Sequence, residues 1–300
     1  MIYRIELHQP MPYTYTATYQ VRYYECDANG HMNNAQYLRL MQETAAEAVS
    51  SAGFGHDYLQ SIGKMWLAHE TAITYEQPLY YGDEIVVKTW ISDIRRSSSR
   101  RIYEFWKTGE NMRMAQAYTD WIYMDIETRR PAIIPGDIIS FFYPEGVPES
   151  FTKREKFPEP PVPPPGAFKY QARVAWRDLD VMQHVNNAVY LEYTGECGAR
   201  HVAHVGWPWE KMVEEGFAIF LRKNWIQYHL PATWDDEIEI TTWLTNVRRS
   251  TAERFYDIRR TQDTQLLARV LAVGVCVDVK QGLPIRFPVN FMQSMAGSVV

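Results

Sequence analysis

Two short segments carry residue types that could do chemistry together. The first is Asp27-Ala28-Asn29-Gly30-His31-Met32-Asn33-Asn34, and the second is Asp180-Val181-Met182-Gln183-His184-Val185-Asn186-Asn187. Asp27 and Asp180 are carboxylates that could activate water as a general base or attack a carbonyl directly. His31 and His184, four residues on, could orient the carboxylate, bind water or donate a proton to a leaving group. If a helix begins at Asn34 and Asn187, its free N–H groups and positive dipole end would polarise a carbonyl oxygen laid on those amides. Such a set suits attack on an activated acyl group, where donors must hold the oxygen as it gains charge. The plainer reading is capping, in which Asp and Asn side chains satisfy backbone N–H groups. Glu43 and Glu196 fall about three turns into each helix and could reach such a site. An exposed or arginine-paired glutamate is the commoner case.

The two segments belong to a repeat. His31 and His184 fix an offset of 153 residues, and residues 21–40 (VRYYECDANGHMNNAQYLRL) align with 174–193 (VAWRDLDVMQHVNNAVYLEY). The register holds downstream. Tyr75 and Pro78 align with Tyr228 and Pro231, Asp83-Glu84-Ile85 with Asp236-Glu237-Ile238, and Arg95-Arg96-Ser97 with Arg248-Arg249-Ser250. A register kept that long marks a duplication. Between the copies runs FPEPPVPPPGA, residues 157–167, which can continue neither a helix nor a central strand. This gives a first domain at residues 12–150, a proline-rich linker at 151–167 and a second domain at 168–300.

Each copy must supply elements that position the aspartate. Residues 14–24 alternate as a strand would. Residues 34–51 read as a helix, with Ala35, Leu38, Met41, Ala45 and Val49 at helical spacing and Asn33 and Asn34 as N-cap types. Residues 66–77, 84–93, 100–107 and 114–125 follow as strands, rich in β-branched and aromatic types and separated by turn signals. One helix followed by an antiparallel meander predicts an α+β fold in which a sheet curls around the helix.

Composition narrows the function classes. A net charge of −5 does not favour nucleic acid, whose binders carry a basic excess. The three cysteines form no CxxC pair, so neither a disulfide framework nor a zinc site is indicated, and no metal or cofactor is expected. No apolar run approaches the roughly 18 residues that cross a bilayer. Residues 1–13 lack a signal pattern, so a soluble cytoplasmic protein is the default.

The segments at Asp27–Leu38, Tyr75–Ile85 and Asp125–Pro135 resemble the hotdog-fold acyl thioesterases, and the likeness covers almost all of both repeats. The tandem form resembles the double-hotdog acyl-carrier-protein thioesterases. The resemblance implies two hotdog domains forming an intramolecular pseudo-dimer, with clefts between the halves. It implies hydrolysis of an acyl thioester carried on coenzyme A or an acyl carrier protein, with Asp27, Asn29, His31, Asp180 and His184 as the catalytic candidates and Asn34 and Asn187 holding the carbonyl. Arg95, Arg96, Arg248 and Arg249 flank hairpin turns and could bind coenzyme A phosphates or the acidic face of a carrier protein; a solvated turn is the alternative. The chain also departs from the family. Only the first copy keeps the asparagine of the Asp-x-Asn-x-His set, since Met182 replaces it in the second. Pro78-Leu79 and Pro231-Ala232 stand where the carrier-protein enzymes place an acidic residue. Two rivals stay open. A hotdog enoyl-thioester hydratase or dehydratase would place histidine five residues after aspartate with a proline between, unlike either copy. A non-catalytic acyl-thioester binder is the other, and further self-association of the pseudo-dimer is left open.

Overall fold

The computed structural model describes residues 11–151 and 153–300. Residues 1–10 of the stretch read for a signal pattern, and linker residue 152, lie outside the described residues. The chain divides into two compact units. Of the described residues, one comprises 11–32, 40–69, 79–151 and 153–156, and the other 33–39, 70–78 and 157–300.

In the first unit β1 (Thr14–Gln20) pairs antiparallel with β3 (Glu84–Ile94), β3 with β4 (Ser98–Lys107), and β4 with β5 (Arg113–Asp125). β1 is shorter than its sequence pattern predicts. The Arg22 amide donates to Glu25 Oε2 at 2.7 Å, which turns the backbone into a short 3-10 segment at Tyr23–Glu25. The helix α1 (Asn34–Ser51) has the predicted bounds, and it buries Ala35, Leu38, Met41, Ala45 and Ala48. Two short helices, α2 (His56–Ser61) and α3 (Gly136–Phe142), were not predicted. Seven residues are too few for an amphipathic period to stand out. Ile138 and Phe142 of α3 complete a core with Ile91, Ile94, Tyr123, Ile134 and Tyr143. Each such burial stabilises by roughly 1.5–3 kcal/mol.

The β3–β4 turn is held by charge. Arg154 donates to both oxygens of Asp93 at 2.8 and 3.1 Å, and Arg95 does the same at 3.2 and 3.1 Å. Burial pushes the Asp93 carboxyl pKa up, but the hydrogen bonds of Arg154 and Arg95 outweigh it and hold the group below its ordinary range. The stability this confers is present above the unfolded carboxylate value of about 3.9 and is lost as pH falls through the folded value. Thermal melts should therefore show the midpoint dropping on acidification below about pH 4. Asp93→Asn should flatten that slope; an unchanged slope would mean the pairs contribute nothing.

In the second unit β7 (Phe217–Tyr228) is central. On one side it pairs with residues 70–74 of β2 (Lys64–Tyr75), and on the other with β10 (Leu266–Asp278). Beyond β10 come β9 (Thr251–Arg260), β8 (Glu237–Thr245) and β6 (Phe168–Arg173), all antiparallel. The helix α4 (Val189–His204) is followed by α5 (Trp209–Glu214), and α6 (Val289–Met295) follows the sheet. Phe217, Trp207, Phe291 and Met295 form the apolar core here. Phe157, at the start of the proline-rich stretch, rests its ring against Trp225 and Phe255. Gly166 passes so close to the Gly297 carbonyl that any Cβ would collide with it. No described helix is long and apolar enough to cross a membrane.

Candidate active site

The first aspartate shapes its own loop. Asp27 Oδ1 accepts the backbone N–H groups of Asn29 at 2.8 Å and His31 at 3.3 Å, and the Asp27 amide donates to the His31 carbonyl at 2.8 Å. Cys26 and Met32 bridge across this small loop, and the Met32 amide donates to the Leu79 carbonyl at 2.7 Å. The turn needs a residue at positive φ, and Gly30 supplies it at +78°. Capping is thus part of what Asp27 does, although it caps the loop rather than the helix. Its second oxygen makes no hydrogen bond among the described residues. Asn29 is exposed, and His31 is half-buried with its ring edge-on to Tyr80.

The second copy repeats the loop with less polar material. Asp180 Oδ1 accepts the Met182 amide at 2.9 Å, and the Asp180 amide donates to the His184 carbonyl at 2.9 Å. Gln183 occupies the positive-φ position at +60°, a conformation that strains a residue with a Cβ. Asp180 and His184 are both half-buried.

The helix starts are built alike, with one difference. Asn33 caps α1, its Oδ1 accepting the Ala35 amide at 2.9 Å. Asn186 accepts the Ala188 amide at 3.0 Å, but regular helix begins only at Val189. The first turn there is tightened by three-residue bonds, Val189 to Asn186 and Leu191 to Ala188. The Asn34 and Asn187 amides enter no backbone pairing among the described residues, as expected at helix N-termini.

Sequence reasoning missed the tyrosines that hold these starts. Tyr75 donates its hydroxyl to the Asn34 carbonyl at 3.4 Å and accepts from Asn224 Nδ2 at 3.2 Å, while Tyr228 donates to the Asn187 carbonyl at 3.0 Å. Burial pushes both hydroxyls far up in pKa, so they remain neutral donors. The signal was their recurrence three residues before proline in each copy. Tyr37 and Tyr190 pack edge-on against them.

The other candidates divide. Arg95 is committed to Asp93, whereas Arg96, Arg248 and Arg249 are exposed. Glu196 pairs with Arg200 one helical turn on, and Glu43 is exposed on α1.

Residues 12–142 match the model of the acyl-ACP thioesterase N-terminal domain, and residues 174–295 match the thioesterase-like superfamily. The chain belongs to the hotdog thioesterase superfamily. It has the α+β fold of that superfamily, as two hotdog domains in tandem. Among solved structures, this hotdog chain is similar to a 12:0-ACP thioesterase from Umbellularia californica, with TM-score 0.70 and 18% identity over 88% of this chain and 94% of that one. It is also similar to an acyl-ACP thioesterase from Bacteroides thetaiotaomicron, with TM-score 0.67 and 18% identity over 87% and 97% of the two chains. Among curated proteins it is 24% identical over 215 residues to a chloroplastic acyl-[acyl-carrier-protein] hydrolase of Cuphea viscosissima, covering 61% of this chain and 52% of that protein. It is 25% identical over 202 residues to a chloroplastic oleoyl-acyl carrier protein thioesterase of Arabidopsis thaliana, covering 61% and 54%. The chain spans about half the length of these curated relatives.

Proposed function

We propose that this protein is a thioester hydrolase that releases fatty acids from acyl carrier protein, with the aspartate of a hotdog loop as base or nucleophile. The observation that carries the reading is shared by both repeats. Each lies in a segment matching a thioesterase model, and each holds a carboxylate by one oxygen while the other oxygen has no partner among the described residues. The loop amides fix the carboxylate in place by one oxygen. Water activated by the second oxygen would attack the thioester carbonyl. The oxygen that gains charge would rest on helix N-terminal amides such as Asn187, whose position Tyr228 fixes through the adjoining carbonyl. Hydrolysis leaves a free acid and the carrier thiol.

The test is thiol release from matched acyl-carrier-protein and acyl-coenzyme A thioesters, measured with a thiol reagent. Turnover is expected on the carrier-protein thioesters, and faster there than on coenzyme A. An inert protein that nonetheless binds acyl thioesters by calorimetry would establish the binder in place of the hydrolase.

A further inference from the structure

Two polar side chains are buried where residues 70–74 of β2 meet β7. Thr71 is 4% exposed and Asn224 3%. They occupy equivalent positions, since the repeat offset carries Thr71 to Asn224 just as it carries Tyr75 to Tyr228. Each therefore lies four residues before the tyrosine of its own repeat. Along one strand that is ~13 Å, too far for a hydrogen bond. Antiparallel pairing supplies the reach instead. Asn224 stands opposite Ile73, and Thr71 opposite Ile226. Each is thus the diagonal neighbour, on one face of the sheet, of the tyrosine in the other repeat. The hydrogen bonds follow that geometry. Asn224 Nδ2 donates to the Tyr75 hydroxyl at 3.2 Å, and the Thr71 hydroxyl donates to the Tyr228 hydroxyl. All of these residues, with Asn34 and Asn187, belong to the second unit.

A phenol has a single proton to direct. Because its oxygen accepts from Asn224, the Tyr75 hydroxyl turns that proton to the Asn34 carbonyl. Tyr228, accepting from Thr71, turns its own to the Asn187 carbonyl. Both hydroxyls are desolvated, so water is a poor substitute for either donor. Each carbonyl belongs to the residue whose own amide enters no backbone pairing among the described residues. The amide that follows is held too, by Asn33 Oδ1 at Ala35 and by Asn186 Oδ1 at Ala188. The peptide after Asn34 or Asn187 is therefore gripped at both its oxygen and its N–H. That grip sets the direction of the N–H left over at the helix start.

We propose that Asn224 is a positioning residue for the helix start of the first repeat and Thr71 for that of the second, so that each repeat aims the other's carbonyl-holding amide. The proposal rests on the thioesterase reading for what that amide does. A slack amide would still meet the ground-state thioester. It would meet the oxygen that gains charge off line, so kcat falls while KM holds.

The test uses the two single-aspartate backgrounds. Asp180→Asn leaves turnover to the first repeat, and Asp27→Asn leaves it to the second. In the Asp180→Asn protein, Asn224→Leu is expected to lower kcat on an acyl-carrier-protein thioester by ~10-fold with KM within ~2-fold, and Thr71→Val to change neither. In the Asp27→Asn protein the two effects exchange. Asn224→Thr should recover most of the loss, since a threonine hydroxyl already serves Tyr228. Tyr75→Phe, which removes the proton that Asn224 directs, should reproduce the Asn224→Leu loss and takes its place if the leucine variant does not fold. Where only one aspartate supports turnover, the comparison is made on that one. A variant that slows both backgrounds alike, or slows only its own repeat, would overturn the proposal. Hydrogen exchange read by mass spectrometry follows the positioning without turnover. Asn224→Leu should speed exchange several-fold in peptides covering residues 33–37 and leave 186–190 unchanged, with Thr71→Val doing the reverse. No change in either segment, or an equal change in both, would also overturn it. Failure of the thioesterase reading looks different: no thioester releases thiol, while the exchange still follows this pattern.

Discussion

Asp27→Asn is expected to reduce kcat on an acyl-carrier-protein thioester by ~10²- to 10⁴-fold while leaving the fold intact. The substitution separates chemistry from structure. An asparagine side-chain oxygen still accepts the Asn29 and His31 amides that Asp27 Oδ1 now holds, so the loop keeps its shape. What is lost is the negative charge and basicity of the second oxygen. Asp27→Ala would confuse the two, because it removes the loop bonds as well. Asp180→Asn is expected to cost less. The second loop puts the apolar Met182 where the first has Asn29, and Gln183 strained at +60° where the first has Gly30. Steady-state kinetics with circular dichroism on both single variants and the double variant decide the matter. A double variant with full activity sinks the carboxylate mechanism.

Asp93→Ala is expected to destabilise the first unit by ~2–4 kcal/mol. The aspartate side chain is 5% exposed, Arg154 18% and Arg95 52%. The estimate sits toward the low end for a broken buried pair because Arg95 can turn to water once released. Arg154 cannot do so as easily, and it would be left with less than its present set of acceptors. Urea titration of wild type and variant measures the change. A midpoint unmoved by the substitution would show that water replaces both bonds at no cost.

Much of this protein was legible in its residues. The constant offset between the copies established the duplication, because a register held across strands, turns and helix leaves no other account. The bounds of α1 followed from its apolar spacing and the asparagines before it. The strand meander followed from alternation, since local pattern and tertiary burial agree in a half-buried sheet. The sequence also singled out Asp27 and Asp180, and it kept both the capping and the catalytic reading alive. The structure shows Oδ1 of each aspartate holding its own loop; the catalytic reading is part of the proposed function.

Other features were out of reach for a shared reason. They depend on which distant groups a side chain meets, and no local pattern encodes that. Arg95 and Arg96 looked alike as hairpin arginines, yet Arg95 is tied to the buried Asp93 and Arg96 is exposed. The helices α3 and α6 were too short to show a period and exist because they cover cores built from residues far away in the chain. Tyr75 and Tyr228 read as strand aromatics, and only the folded chain brings their hydroxyls to the carbonyls of Asn34 and Asn187. The sequence alone determined the repeat, the long helix and the strand order of each copy, because these rest on spacing along the chain. The tertiary structure decided which charges are paired, because that depends on burial and on partners supplied across the sheet.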